Sequence, residues 1–596
     1  MINKARDSIF AVSKSKQGFA LLDIDFTAAF DNQVLSWVIQ VMLAKGVSEK
    51  VTSRITRLYQ DSITIPVVNN NLGKPLMNIR GCLRQGCPGS MGWFSVAIDP
   101  LLKYLERRLQ GITICSLPCP GPYLEDGTPP QPVNERYTVY GYADDIKPAV
   151  TTMAEFALID HAVTLFEKSS GNHLHCDPIS GKCKVLPLGR WRNSLQQEDI
   201  GFPHLKITNS LSMVGVELTA SCQSTRKTNM DELQERVQKC IGSWKSGKFM
   251  PLVCRPFSLN TYCSSKIWFR TGSVDMRAGD ITAMTSRLKS WCYQDLYQKP
   301  SEVLLYREVE QGGLGLHHIH SKALANLIAT FIQTAKNERF QQSLFHSWLY
   351  GYHVEADPAL PDPGYTPYYD QDFFSIIREV KEKTPLNPLH MSVKEWYKLL
   401  LERNVTTREI DEEGRRELIP CKVEERDPTI LWSETYRVAR LKGLNPESKS
   451  FLFKLIHTLL PSKERIHHLN QTTSPQCWCN SGDQETYSHL FYGCTKNQEA
   501  GEALLRCVRS YDQNLTEEKS LRMELSADET FLLPTVAILA IGLEFIWENR
   551  KVRKTTSLYQ MRAELEAAVS IRRRSRSKHV REAGDIMSNV LNNFLW

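Results

Sequence analysis

The feature that most constrains this chain is a pair of adjacent carboxylates, Asp144-Asp145, placed just after the aromatic and β-branched run Tyr137-Thr138-Val139-Tyr140. Such a run reads as a strand, so the acidic pair falls at its turn. A second acidic segment, Asp23-Ile24-Asp25-Phe26-Thr27-Ala28-Ala29-Phe30-Asp31, continues from the apolar, strand-like residues 18–22. Residues two apart on a strand share a face, so Asp23 and Asp25 can both point at one ion; spacing alone does not choose between them. Carboxylates from two strands, open on one side, suit Mg²⁺, which takes oxygen ligands and completes its shell with water and phosphate oxygens. Two such ions about 3.5–4 Å apart can clamp the attacking and leaving oxygens of a phosphoryl transfer. Asp31, beyond the strand, is expected to cap the helix that follows.

At 596 residues the chain is too long for one core, and about 100–200 residues per domain implies three to five units. A hydrophobic share of 42% and a charged share of 23% exclude disordered and fibrous classes. The net charge of +7 is compatible with a phosphate-rich partner. Sixteen scattered cysteines, many in apolar runs, read as reduced thiols rather than a disulfide framework. Residues 1–16 lack the apolar core of a signal peptide. Residues 531–547 are the most apolar stretch, but Pro534 and Glu544 interrupt it, and a buried helix is expected there rather than a membrane span. An intracellular protein without a membrane partner is therefore expected, in the nucleus, the cytoplasm or both.

Apolar spacing at Val34, Leu35, Val38, Ile39, Met42 and Leu43 predicts helix over residues 32–60. A loop over 81–92, helices over 91–109 and 153–168, a hairpin over 137–150, and strands over 183–188 and 211–218 complete the first third. Residues 117–132, with six prolines and two glycines, are expected to form an exposed insertion. The order suits an α+β fold with an antiparallel sheet. Pro148 removes a ladder donor and is expected at an edge or strand end. From residue 231 the pattern turns mainly helical, with Trp244, Trp268 and Trp291 as anchors. A Pro- and aromatic-rich linker is expected over 352–369, with helices resuming after 392.

Three boxes carry a family resemblance. Tyr142-Ala143-Asp144-Asp145 resembles the Tyr-x-Asp-Asp box of reverse transcriptases. Asp25-Phe26-Thr27-Ala28-Ala29-Phe30-Asp31 matches that family's first acidic box in its non-LTR (LINE-type) retrotransposon form. Gly81-Cys82-Leu83-Arg84-Gln85-Gly86-Cys87-Pro88-Gly89-Ser90 is similar to its Arg-Gln-Gly-x-Pro-x-Ser box. The resemblance implies a palm with an antiparallel sheet, a helical thumb and a mainly helical C-terminal region. It implies RNA-directed DNA polymerase activity, with Asp25, Asp144 and Asp145 holding two Mg²⁺ ions, and an RNA template, a DNA primer or target and dNTPs as partners. Arg84, Gln85, Gly86 and Tyr142 would contact nucleotide or template. Lys182 would sit near the departing pyrophosphate, and Phe30 would exclude a ribose 2′-hydroxyl. Met213-Val214-Gly215-Val216 resembles the strand that grips the primer end. Gln311-Gly312-Gly313-Leu314-Gly315-Leu316 resembles a stretch beyond the thumb of non-LTR elements, where its glycines would serve a turn.

Cys477, Cys479, His489 and Cys494 resemble the Cys-Cys-His-Cys motif of non-LTR C-termini, and thiolate and imidazole ligands suit Zn²⁺. The family usually has two residues between its first cysteines; here only Trp478 intervenes, so four reduced, unliganded side chains are the alternative. Arg572, Arg573, Arg574, Arg576, Lys578 and Arg581 could neutralise phosphates, form a solvated helix face or act as an import signal. The expected domains are a palm with partial fingers over 1–220, a thumb-like region over 221–300 and a helical connector over 301–475. A zinc knuckle over 476–496 and a helical C-terminal region over 497–596 follow. Family members carry fingers and an endonuclease that are not visible here, so an N-terminally truncated element is expected. The alternative function is an inactive relic serving as an RNA-binding scaffold, or a non-functional element fragment.

Overall fold

The computed structural model describes the chain apart from residues 14, 60–61, 66, 70, 75–76, 80–81, 85–86, 117–132, 176–181, 203–204, 245–248, 338–375, 378, 381–386, 410–415 and 595–596. The insertion expected over 117–132 and the linker expected over 352–369 lie outside the described residues, as do Gln85 and Gly86. The chain divides into two compact units. The first comprises Met1–Leu233, Trp268–Met276 and Ala323–Trp396, and the second the remainder.

The first unit is built on a five-stranded sheet. Its strands are β1 (Gly18–Asp23), β2 (Val139–Tyr142), β3 (Asp145–Val150), β4 (Lys184–Gly189) and β5 (Lys206–Ile207), in the order β5-β4-β1-β3-β2. All neighbours pair antiparallel except β4 and β5, which run parallel at the edge. The sheet is therefore mixed rather than purely antiparallel. On one face Ala20, Leu22, Ile24, Ile146, Val150 and Val185 join a core with helices α1 (Ser90–Arg108) and α2 (Ala154–Ser170), through Phe94, Ile98, Phe156 and Val163. Burying each such side chain contributes about 1.5–3 kcal/mol. On the other face Phe19, Leu21, Ala149 and Leu188 are also buried. The N-terminal helix Ile2–Val12 touches β4 and seats a fully buried Arg6 through Asp7, Asn3 and the Ser273 carbonyl.

Four local expectations change. The helix expected over 32–60 is two, Leu35–Ala44 and Glu49–Tyr59. Gly46, at φ +87°, adopts the left-handed backbone that ends the first. The strand expected over 211–218 is a hairpin, β6 (Ser210–Met213) and β7 (Val216–Thr219), because Val214 (φ +49°) and Gly215 (φ +79°) both reverse the chain. Pro148 lies inside a strand flanked on both sides, not at an edge. The β1–β3 ladder pairs Ala20 with Val150 and Leu21 with Ala149, skips the residue that has no N–H, and resumes at Ile24 and Ile146. Asp31 is a residue of the short helix Ala29–Asn32, whose N-cap position is Ala28.

The second unit surrounds α3 (Glu529–Lys551). This helix is long and apolar enough to cross a membrane by composition, yet 72% of its apolar window is buried within the protein. Helices Pro446–Ile456, Gln498–Arg509, Leu558–Arg573 and Lys578–Asn593 pack around it, filling the core with Leu452, Leu504, Leu565 and Met587. The Gly312-Gly313 turn precedes them. Gly312 is left-handed (φ +80°), and Gly313 lies so close to the Arg307 backbone that no Cβ fits.

A methyl group on Gly18 would run into the indole ring of Trp191. Gly18→Ala should therefore lower the unfolding free energy by about 1–3 kcal/mol, the cost of overpacking a filled site. Urea denaturation followed by far-UV circular dichroism reads this out.

Candidate active site and metal centre

The register of β1 and β3 determines which side chains meet. Ile24 pairs with Ile146, and the Ile24 N–H donates to the Ile146 carbonyl at 3.0 Å. One step on, Asp25 stands opposite Asp145; one step back, Asp23 stands opposite Lys147. Directly opposed residues share a face, so these four lie on one side of the sheet. Tyr142 pairs with Asp145, leaving Ala143-Asp144 as a two-residue turn.

Lys147 is fully buried. Its ammonium pairs with Asp23 at 2.6 Å and with Asp145 Oδ1. Asp145 Oδ2 accepts the Val214 N–H at 3.1 Å, which ties the tip of the β6–β7 hairpin to the acidic turn. Burial raises the Asp23 carboxyl above its ordinary range; Lys147 opposes this, and the nearby Asp145 and Asp25 add to it. Asp25 Oδ2 lies 3.1 Å from His175 Nδ1 and 3.8 Å from the largely exposed Lys182 Nζ. The Asp25 carbonyl accepts the His175 N–H at 2.8 Å.

Three non-glycine residues in the left-handed region, Ala28 (φ +44°), Ala143 (φ +54°) and Val214 (φ +49°), sit in the segments that carry these groups. The conformation is costliest for β-branched Val214, and such strain concentrates at functional sites. Tyr142 is 57% exposed and lines a cavity of about 450 Å³ with Asn3, Val214, Phe269 and Thr330. Phe30 is half-buried and stacks on Phe94, with ring centroids 4.8 Å apart. The Arg84 guanidinium donates to the Leu58 carbonyl at 2.7 Å and lies over the Tyr59 ring. Lys147 and His175 were not singled out in the sequence; the signal for Lys147 was its position two residues after Asp145, on the same strand face.

In the second unit, Cys477, Cys479, His489 and Cys494 place one ligand atom each within 4.8 Å of one another. Cys477 and Cys494 Sγ are 3.7 Å apart, and Cys479 Sγ and His489 Nε2 are 3.4 Å apart. With metal–sulfur bonds of about 2.3 Å, a tetrahedron has edges of about 3.8 Å, so the donor set fits a zinc ion. The single intervening Trp478 lies with Cys479 in a turn. The chain then reverses through left-handed Asn480 (φ +63°) and Gly482 (φ +88°), and the Cys477 N–H donates to the Asp483 carbonyl. Asp483 lies 3.7 Å from His489 Nδ1, where it can orient the ring. Burial pushes the Cys477 thiol up to about 12. Burial also acts to raise Cys479, but hydrogen bonding from the Ser481 hydroxyl and backbone and from His489 outweighs it and brings this thiol down to about 6.

The loop is anchored to the core. Glu485, wholly buried, pairs with Arg550 of α3 and accepts the Lys463 N–H at 2.8 Å. Asn497 donates to the Leu490 carbonyl and accepts from the Thr556 hydroxyl. The basic segment forms the junction of helices Leu558–Arg573 and Lys578–Asn593. Arg572 is buried, Arg573 pairs with Asp585 at 2.6 Å and Arg581 bonds the Ser575 and Arg576 carbonyls. Arg574, Arg576 and Lys578 face solvent.

No protein-family model matches the chain. Over 272 residues, 44% of its length, the chain is 24% identical to the "Transposon TX1 uncharacterized 149 kDa protein" of Xenopus laevis, and it covers 19% of that protein. This similarity supports a transposon origin.

The Glu485–Arg550 pair should govern the stability of the Cys/His loop. Arg550→Met strands a buried carboxylate and should cost about 3–5 kcal/mol. Glu485→Gln with Arg550→Met should recover most of that loss in urea melts of the two variants.

Proposed function

We propose that this chain is the RNA-directed DNA polymerase part of a non-LTR retrotransposon protein. The observation that carries the reading is the strand register that sets Asp25 across from Asp145, with Asp144 in the adjoining turn. Carboxylates from two neighbouring strand ends and their turn, with Lys182 and His175 beside Asp25, would supply the oxygen donors that Mg²⁺ takes. The bound ions would activate the primer 3′-hydroxyl and neutralise charge on the triphosphate. Asp25 and Asp144 would hold them, with Asp145 assisting. The 3′-oxygen forms a bond to the α-phosphorus of a dNTP, the bond to the bridging oxygen breaks, and pyrophosphate leaves. Lys182, 3.8 Å from Asp25, would supply that leaving group with a proton, and Tyr142, exposed beside the turn, would meet the primer–template. Phe30, held by its stack on Phe94, would block a ribose 2′-hydroxyl.

Zinc at Cys477, Cys479, His489 and Cys494 would tie the C-terminal loop. Arg574, Arg576 and Lys578 would contact nucleic acid in a salt-dependent way. The protein would act as a ribonucleoprotein inside the cell. A second reading, an inactive relic that scaffolds RNA, is favoured by the buried Lys147, which already neutralises Asp23 and Asp145.

Primer extension on an RNA template separates the two. The wild-type chain should incorporate dNTPs and Asp144→Ala should not; no extension by either protein would favour the relic. Phe30→Ala should relax discrimination against ribonucleotides, read as the ratio of kcat/KM for dNTP and rNTP; an unchanged ratio would remove Phe30 from sugar selection. Purified protein should contain one zinc equivalent by elemental analysis, and Cys494→Ser should release it and lower the Tm.

A further inference from the structure

We infer that Lys147 is the resident counter-ion of Asp145, a positioning residue that keeps this carboxylate out of the divalent-cation shell and leaves Asp25 and Asp144 as the cation-holding pair. The inference deepens the polymerase reading and rests on it only for the role of Asp25 and Asp144.

Three observations converge. The Lys147 side chain is 1% exposed, so its ammonium has no access to bulk water and must be matched by protein charge. Both oxygens of Asp145 are committed within the protein, Oδ1 to Lys147 and Oδ2 to the Val214 N–H. The register holds Lys147 opposite Asp23, whose Oδ1 takes the ammonium at 2.6 Å, so the cation is fixed from two strands.

A divalent ion that used Asp145 would have to share an oxygen with one of these bonds and lie against a buried like charge. Asp25 differs: its partners are His175, uncharged unless protonated, and Lys182, 64% exposed and free to swing into solvent. Asp144 occupies the turn rather than the paired strand. The β6–β7 hairpin is meanwhile latched to the acidic turn through Asp145, a task that metal ligation would interrupt.

The test is Mn²⁺ binding to the full chain, followed by the loss of the free-ion electron paramagnetic resonance signal. Lys147→Met should bind Mn²⁺ about tenfold or more tightly than wild type, since a close like charge shifts an ionic equilibrium by about one to three orders of magnitude. Adding Asp145→Asn should cancel that gain, and Lys147→Arg, which keeps the charge, should stay at wild-type affinity. Lys147→Met strands two carboxylates, so Lys147→Met with Asp23→Asn provides the same comparison if the single variant does not fold. A folded Lys147→Met without gain, a gain indifferent to Asp145→Asn or shared by Lys147→Arg, or loss of Mn²⁺ binding on Asp145→Asn alone would each overturn the inference. Asp25→Asn is the separate control: unchanged Mn²⁺ binding there would defeat the polymerase reading, while the Asp145-dependent gain in Lys147→Met still decides the role of Lys147.

Discussion

The antiparallel pairing of Gly18–Asp23 with Asp145–Val150 is the constraint on which the first unit depends. Strand registers are all or nothing: a slip of one residue turns every side chain to the opposite face. Here a slip would turn Asp23, Asp25, Lys147 and Asp145 towards Phe94 and Phe156 and take Ala20, Leu22 and Val150 out of that core. The helices packed on the apolar face thus fix the position of the carboxylates on the other. The core is large, and the polar site inherits its precision from it. Pro148 sharpens the point. Its missing N–H interrupts the ladder between the apolar pairs and the acidic end, and the Ile24–Ile146 bond restores the register where the acidic residues begin.

Electrostatics then separates residues that look alike in the sequence. Asp23, Asp25 and Asp145 share a face, but burial and Lys147 claim Asp23 and Asp145, while Asp25 faces a neutralisable imidazole and a solvent-exposed ammonium. Paired strands bring like charges within a few ångströms, and the fold tolerates this only with an internal cation or bound ions. Lys147 is that cation for one half of the cluster.

Much of this could be read from the residues. The hairpin over 137–150, the helices near 91–109 and 153–168, the burial of 531–547 and the gathering of four Cys and His ligands are periodicity and spacing made solid. What could not be read is instructive. Val214-Gly215 looked like the middle of a strand because Val favours strands, yet it is a left-handed turn between paired strands whose Val214 N–H is held by Asp145. Lys147 was hidden because a lysine in a sequence defaults to the surface. Asp31 offered good capping chemistry, but Ala28 opens its short helix and Val34 precedes the next.

The Cys/His loop of the second unit follows the same logic with a different currency. A loop with two left-handed residues and one residue between its first cysteines has little core of its own, so its shape must come from elsewhere. Glu485 fastens its middle to Arg550, and Asn497 fastens its end to Leu490 and Thr556. Those anchors lie on or beside the most buried helix of the unit. Ligand atoms already spaced near tetrahedral edges leave a metal little ordering to impose, so more of its binding energy appears as affinity. The loop is therefore held in shape by the helical core, as the acidic turn is held by its sheet.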